Sequence, residues 1–284
     1  MFAAWLETHD AVQLPVLPLA DRHSPLIAGH YLDEFAEAHG KTLVVRQAAG
    51  AALPFAGVGC AISRAMLGGI AATRDGLPFD ETSLTEDYEL GLTVAAQGGR
   101  GCFVRLRDAR GELIATRAYF PATLGGAVRQ KSRWLTGIAL AGWDRTGWAS
   151  GRGLGENWMR MRDRRVTLAI PVLGIAYVAL LAWGASLVLH YALARPLPAP
   201  DVVMAWVLGV NALLLSWRLA LRVAFTGRAY GVRQALLSLP RVLVANFIAL
   251  LAARRALATY WPTLRGEPPR WDKTTHRFPE ESAH

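Results

Sequence analysis

Two kinds of hydrophobic pattern divide the chain. Up to about residue 143, short apolar stretches alternate with amphipathic runs and turn signals; beyond residue 165, apolar residues run on for tens of positions. In the first part, residues 12–19 alternate and are rich in Leu and Val, which predicts a strand, with Pro15 and Pro18 placing it at an edge or a strand end. Ser24-Pro25 is a helix-start signal; the helix is expected to run to about His39 and stop at Gly40, followed by a short strand over 41–46. Residues 55–63 read as a Gly-broken strand leading into a helix at 64–72. Ser83-Leu84-Thr85-Glu86 has the form of a capping box, with Ser83 as N-cap and Glu86 reaching back. The helix it opens is expected to reach Gln97 and end at Gly98-Gly99. Strands are expected at 102–107 and 116–120, the second closed by Pro121, and then an amphipathic helix over 123–143. Strands alternating with helices predict an α/β layer structure.

The second part has a different character. Residues 144–165 are rich in Gly and Arg and end in Arg160, Arg162, Arg164 and Arg165. Residues 166–194 contain no Asp, Glu, Lys or Arg, a run longer than the roughly 20 residues that a bilayer requires. A Pro-rich turn at 195–201 precedes a second uncharged run at 202–217, with Arg218 and Arg222 able to snorkel at its end. A third run, 235–253, is interrupted by Pro240-Arg241 and is flanked by basic residues on both sides, so it is expected either to span or to be re-entrant or interfacial. The distribution of arginines puts 160–165 and 218–233 in the cytoplasm and the Pro-rich turn outside. The expected organisation is a globular part over 1–143, a basic linker over 144–165, transmembrane or interfacial helices over 166–258, and a polar cytoplasmic tail over 259–284.

Composition narrows the classes. The 284 residues carry a formal net charge of +9, and the pI is about 10.1. Such a balance suits nucleic acid or an anionic membrane surface. The arginines flank apolar runs rather than forming one tract, and no nucleic-acid motif appears, so the expectation is a lipid bilayer and no nucleic acid. Cys60 and Cys102 have no pairing that suggests zinc or a disulfide framework, and the seven histidines are scattered. No metal site is expected from these residues. Met1-Phe2-Ala3-Ala4-Trp5-Leu6-Glu7 lacks the basic segment and apolar core of a secretory signal.

Candidate chemistry sits in two stretches. On a helix, positions three and four apart share a face, so Gln130, Arg133 and Trp134 are expected to point the same way, with Gly137 leaving room below. An amide, a guanidinium and an indole on one face suit a sugar phosphate, because Arg binds phosphate oxygens in a bidentate manner. The same residues would equally serve as headgroup anchors of a membrane-surface helix. Upstream, Glu86 and Asp87 adjoin, and neighbours on a helix diverge by about 100°. With Glu86 occupied by the capping box, Asp87 is left to face a ligand as a general base; the alternative is that both acids complement the helix dipole. Gly57-Val58-Gly59-Cys60 would let the backbone approach a ligand, or form a bulge. Asp33, Glu34 and Glu37 are expected on a solvated helix face, with a substrate groove as the alternative.

Thr85-Glu86-Asp87, then Gln130-Lys131-Ser132-Arg133-Trp134, then membrane spans resembles the membrane-embedded type of family 2 glycosyltransferase, the type that includes cellulose, hyaluronan and chitin synthases. The resemblance covers nearly the whole chain and also takes in Tyr31-Leu32-Asp33-Glu34-Phe35, Ala56-Gly57-Val58-Gly59, Tyr119-Phe120-Pro121 and Trp271-Asp272-Lys273-Thr274-Thr275-His276. It implies an incomplete GT-A-like (Rossmann-like) α/β domain followed by an α-helical transmembrane region in a bacterial inner membrane. It also implies inverting transfer from a nucleotide-sugar, commonly a UDP-sugar, to a glycan acceptor, with exopolysaccharide synthesis as the setting and an outer-membrane export partner. Asp87 matches the general base, Arg133 the group that holds the leaving diphosphate, and Gln130 and Trp134 the acceptor contacts. Gly59 and Cys60 match the strand end near the acceptor, with Glu86 a substrate-side neighbour of the base. The family uses Mg²⁺ or Mn²⁺ on an Asp-x-Asp motif that this sequence lacks, so the chain is expected to be the C-terminal part of a longer transferase. The competing expectation is a catalytically inactive membrane scaffold or phage-adsorption component that keeps the motifs as structure.

Overall fold

The computed structural model describes residues 2–267 except 81, 152 and 198; of the expected tail, 259–263 continue the last described helix, while 268–284, with the Trp271 motif, lie outside the described residues. After a short helix α1 (Phe2–Leu6), strand β1 (Ala11–Gln13) takes the middle of a three-stranded mixed sheet. It runs antiparallel to β2 (Cys60–Ile62) and parallel to β3 (Gly101–Phe103), with Val12 opposite Ala61 and Cys102. The expected strand at 12–19 therefore keeps its regular ladder only as far as Gln13. Pro15 has no N–H to contribute to a ladder, which accounts for the break, but β1 is central and not an edge. Beyond it the chain stays extended, and Leu17 and Leu19 donate backbone bonds to Thr116 and Ala118 at 2.9 and 2.8 Å. The predicted strand at 116–120 is reduced to this parallel bridge.

Two expectations fail in the next segment. Helix α2 (Gly29–Glu37) passes through a π-helical turn (Ala38–Thr42) directly into α3 (Leu43–Ala48), so Gly40 does not stop the helix and 41–46 is not a strand. Gly40 is small for a different reason: a Cβ there would lie 2.7 Å from the ring of Phe225. The aliphatic run Leu43-Val44-Val45 is held helical by the side chain next in sequence. Arg46, buried, donates to the Ala52 carbonyl at 2.5 Å and pairs with Asp163 at 2.7 Å.

Helix α4 (Arg64–Ala72) is capped by Ser63, whose Oγ accepts from the Met66 N–H. Helix α5 (Glu86–Ala96) ends at Gly98 in the left-handed region, as expected. A core of Ala11, Phe55, Ile70, Leu90 and Val94 lies between the sheet and these two helices. The amphipathic helix is divided into α6 (Leu124–Ala139) and α7 (Ala141–Thr146), the break falling at Leu140. Residues 144–165 include a helix, α8 (Leu154–Arg164), tied to the globular part by Asp163 and by Glu156, which accepts from Ala52 N at 2.6 Å.

Among the described residues, three helices are long and apolar enough to cross a membrane: α9 (Val166–Ala192), α10 (Val202–Tyr230) and α11 (Val232–Thr263). The most apolar windows of α9 and α10 have no buried residue, whereas 28% of the window in α11 is buried. Helix α11 is unbroken through Pro240 and packs along α6 and α2, so the proline does not interrupt it.

What joins these helices to the globular part is a buried charge cluster. Asp33 in α2 is wholly inaccessible, which corrects the expectation of a solvated face. Its Oδ1 accepts from Arg241 of α11 at 3.1 Å and from Thr226 of α10 at 3.3 Å, and Arg222 of α10 lies 3.8 Å from Oδ2. Burial pushes the Asp33 pKa up to about 6 against the pull of Arg241 and Arg222, so the carboxylate is charged at neutral pH. Removing one partner of such a cluster strands a buried charge at a cost of about 3–5 kcal/mol. Asp33→Ala is therefore expected to collapse the thermal-unfolding midpoint in detergent, and the Asp33→Leu, Arg241→Met pair to recover more than half of the loss.

Candidate active site

The site begins with a buried amide. Gln13, at the end of β1, is 1% exposed. Its Nε2 donates to the Val58 carbonyl at 2.9 Å and its Oε1 accepts from Ala56 N at 3.0 Å. One side chain thus satisfies both kinds of backbone group in the 56–59 loop, which has no regular ladder of its own. Gly57 and Gly59 in that loop have φ of 71° and 63°, a region that other residues enter only at a cost. A Cβ on Gly57 would lie 2.8 Å from Asp87 Oδ2, and one on Gly59 would collide with Thr116 Oγ1. The loop backbone is therefore laid directly over the Asp87 carboxylate, with Cys60 following as the first residue of β2.

Asp87 stands in the first turn of α5. The cap of that helix differs from the expected box. Thr85, not Ser83, is the N-cap, and Glu86 does not reach back. Ser83 donates instead to Glu89, one turn further on, at 2.7 Å, and Glu89 pairs with Arg145 of α7. Tyr88 fastens the same turn to α8 by donating from its hydroxyl to Asp163 at 2.7 Å. Asp87 Oδ1 accepts from the Tyr88 N–H at 2.8 Å. Burial pushes the Asp87 pKa up to about 6; the Tyr88 N–H and Arg133 pull it down, and the neighbouring charge of Glu86 pushes it further up. Cys60 is also raised, by burial and by the Asp87 carboxylate.

Helix α6 reaches this turn through a glycine. A Cβ on Gly137 would lie 2.5 Å from Thr85 Oγ1, so the space predicted below Arg133 is filled by the residue that starts α5. That contact brings Arg133 within electrostatic range of Asp87. The single face expected for Gln130, Arg133 and Trp134 is divided. Gln130 is buried at 4% exposure, and its Oε1 has no hydrogen-bond partner among the described residues. Trp134 turns toward α2, with its ring edge-on to Tyr31 at 6.1 Å and near Phe120 at 6.4 Å. It also borders a separate cavity, which Asp87 and Arg133 do not line. Adjacent helical residues diverge by about 100°, which is why Arg133 and Trp134 serve different neighbours.

Gln13 was missed by sequence reasoning. Its only signal was an amide at an inward position between apolar neighbours in Val12-Gln13-Leu14. The divalent cation implied by the resemblance finds no donor set here: among the described residues no group of three or more His, Cys, Asp or Glu could hold a metal ion.

Sequence comparison bears on the same residues. The family model described as "Glycosyl transferase family group 2" matches residues 1–253. The chain is also 35% identical over 308 aligned residues to bacteriophage adsorption protein B of Escherichia coli (strain K12), covering 98% of this chain and 40% of that protein. Bacteriophage N4 adsorption protein B of Escherichia coli O157:H7 gives the same figures. The chain thus spans about two-fifths of the length of these curated relatives.

A raised carboxyl pKa means that the folded state holds the Asp87 proton more tightly than the unfolded chain. Stability from this group is full below its unfolded pKa and falls as pH rises from about 4 to about 6. Asp87→Asn, which keeps an acceptor for the Tyr88 N–H, is expected to raise the apparent Tm at pH 8 by about 2–4 °C. The gain should vanish below pH 4, as read by thermal unfolding across that range.

Proposed function

Because the chain belongs to glycosyl transferase family group 2, we propose that it forms the acceptor-side part of a membrane-bound glycosyltransferase with a GT-A-like catalytic domain. The transferase part is assigned to residues 1–143 and the membrane helices to 166–258. The reaction is transfer of a sugar from a nucleotide-sugar to a hydroxyl of a glycan acceptor. Asp87 takes the hydroxyl proton, on Oδ2 since Oδ1 already accepts from Tyr88. The acceptor oxygen attacks the anomeric carbon from the face opposite the leaving group, the bond from that carbon to the diphosphate oxygen breaks, and the configuration inverts. Arg133 meets the charge that gathers on the departing diphosphate. The chain is placed in a bacterial inner membrane with the transferase part on the cytoplasmic side, feeding a glycan toward an exopolysaccharide export partner.

The observation that carries this reading is the placement of Asp87. The carboxylate lies under a glycine backbone, within the field of Arg133, with its pKa pushed up to about 6. A base is most effective when its pKa lies near the working pH, and such groups contribute about 10²–10⁴-fold to rate. Sugar transfer from a radiolabelled nucleotide-sugar, measured in membranes carrying the protein, is therefore expected to fall at least 100-fold in Asp87→Asn. In the unmodified protein it should rise with pH through about 6 and level off above, since the ionised form is the competent one. Gly57→Ala, which drives a methyl against Asp87, is expected to cost about 100-fold by misplacing the base. Transfer that Asp87→Asn leaves unchanged would reject Asp87 as the base.

The names of the two relatives favour a second reading, a non-catalytic component of phage adsorption. Under it, cells carrying Asp87→Asn would still adsorb phage while sugar transfer is undetectable in either form. Loss of adsorption together with transfer would support the enzyme.

A further inference from the structure

A cavity of about 610 Å³ opens between α2, α6, α8, α10 and α11 and the first turns of α9, where the globular part meets the apolar helices. One end is charged. Lys131, Arg165, Arg218 and Arg222 line it, with Glu34 and Asp163 as the carboxylates. Both carboxylates are engaged: Glu34 pairs with Lys131, while Asp163 pairs with Arg46 and accepts from Tyr88. Three guanidiniums therefore border the space, Arg165 within the field of Asp163 and Arg222 within that of Asp33, and none of the three is hydrogen-bonded to a carboxylate of the lining. Arg222 is 7% exposed and its Nη1 makes no hydrogen bond. Its contact with Asp33 is at 3.8 Å, and that carboxylate is already bonded to Arg241. Arg165 lies within the positive fields of Arg162 and Arg218. Away from the arginines the lining is largely alkyl, supplied by Ala169 and Leu173 of α9 and Ala249 of α11, with the amide of Asn246 bonded to the Tyr177 hydroxyl.

Guanidiniums at one end and alkyl side chains at the other match an amphiphile with an anionic head. We propose that this cavity binds one membrane lipid through a phosphate headgroup, with Arg165, Arg218 and Arg222 as its donors and the lipid chain laid along α9 and α11. Guanidinium and phosphate are matched in geometry and charge, and basic pockets between membrane helices on the cytoplasmic side suit lipid headgroups. A neutral glycan would bring no charge to the three guanidiniums, and a free anion would leave the alkyl wall uncovered. Lys131 and Trp134 also border the cavity, so the lipid rests on the helix that carries Arg133. The inference stands on the lining of the cavity and does not rest on the transferase reading.

Native mass spectrometry of the full chain in detergent tests it, with phosphatidylglycerol, diacylglycerol and inorganic phosphate as separate probes. One phosphatidylglycerol should be retained per chain, with diacylglycerol and inorganic phosphate lost at the same concentrations. Arg165 and Arg218 are exposed, so the Arg165→Gln, Arg218→Gln double variant should fold and hold the lipid at least about tenfold more weakly, as expected for charge-assisted bonds. Ala169→Trp, which fills the hydrocarbon end and leaves every charge in place, should also release it. Equal retention by the double variant would overturn the proposal. So would retention of diacylglycerol as strong as that of phosphatidylglycerol, binding of inorganic phosphate alone, or a neutral oligosaccharide held as tightly as the lipid.

Discussion

The carboxylate of Asp33 is the joint on which the molecule turns. It has no access to water, and it is bonded to Arg241 and Thr226 with Arg222 close by, so one side chain connects α2 to both α10 and α11. A charge in that position is costly unless it is matched, and the matching groups come from residues about two hundred positions away in the chain. The apolar helices are therefore docked on the globular part in one arrangement. Gly29 belongs to the same joint, because a Cβ there would collide with the Arg241 guanidinium.

From that joint a line of packing leads to the chemistry. Helices α2 and α11 hold α6 through Tyr31, Ala127, Ile248, Phe120 and Trp134. Helix α6 then sets Gly137 on Thr85 and Arg133 within the field of Asp87. On the opposite side, Gln13 fixes the glycine loop whose backbone lies over the carboxylate. Asp87 is thus held between a helix that depends on the membrane region and a loop that depends on the sheet. Support from two directions fixes the position of the carboxylate against thermal motion.

The same arrangement explains why the site is costly to keep. Asp87 and Asp33 both have their pKa pushed up to about 6, for the same reason, burial. Asp33 is bonded to the Arg241 guanidinium with Arg222 close by, whereas Asp87 accepts from a backbone N–H and lies in the field of Arg133. The first carboxylate is part of the architecture. The second has fewer charge-matched neighbours, and that difference in partners, not in burial, sets the two carboxylates apart.

Much of this was legible in the chain of residues. The apolar runs gave the long helices because length and the absence of charge are local properties, and Gly98 marked a helix end through its own backbone freedom. The motifs at Asp87 and Arg133 could be singled out because each is a short string. Other features could not be read so. Leu43-Val44-Val45 has the composition of a strand and is helical, since a π-turn and the ties of Arg46 outweigh a weak local preference. Ser83 found its partner in Glu89 and not in Glu86. Asp33 looked like one acid on a polar face until α10 and α11 closed over it. Arg133 and Trp134, adjacent in sequence, were parted by the different surfaces packed on either side of α6. Sequence by itself determined what each segment could form and which groups were able to do chemistry. Only the tertiary structure decided which of them met, because burial and the pairing of charge depend on neighbours brought from far along the chain.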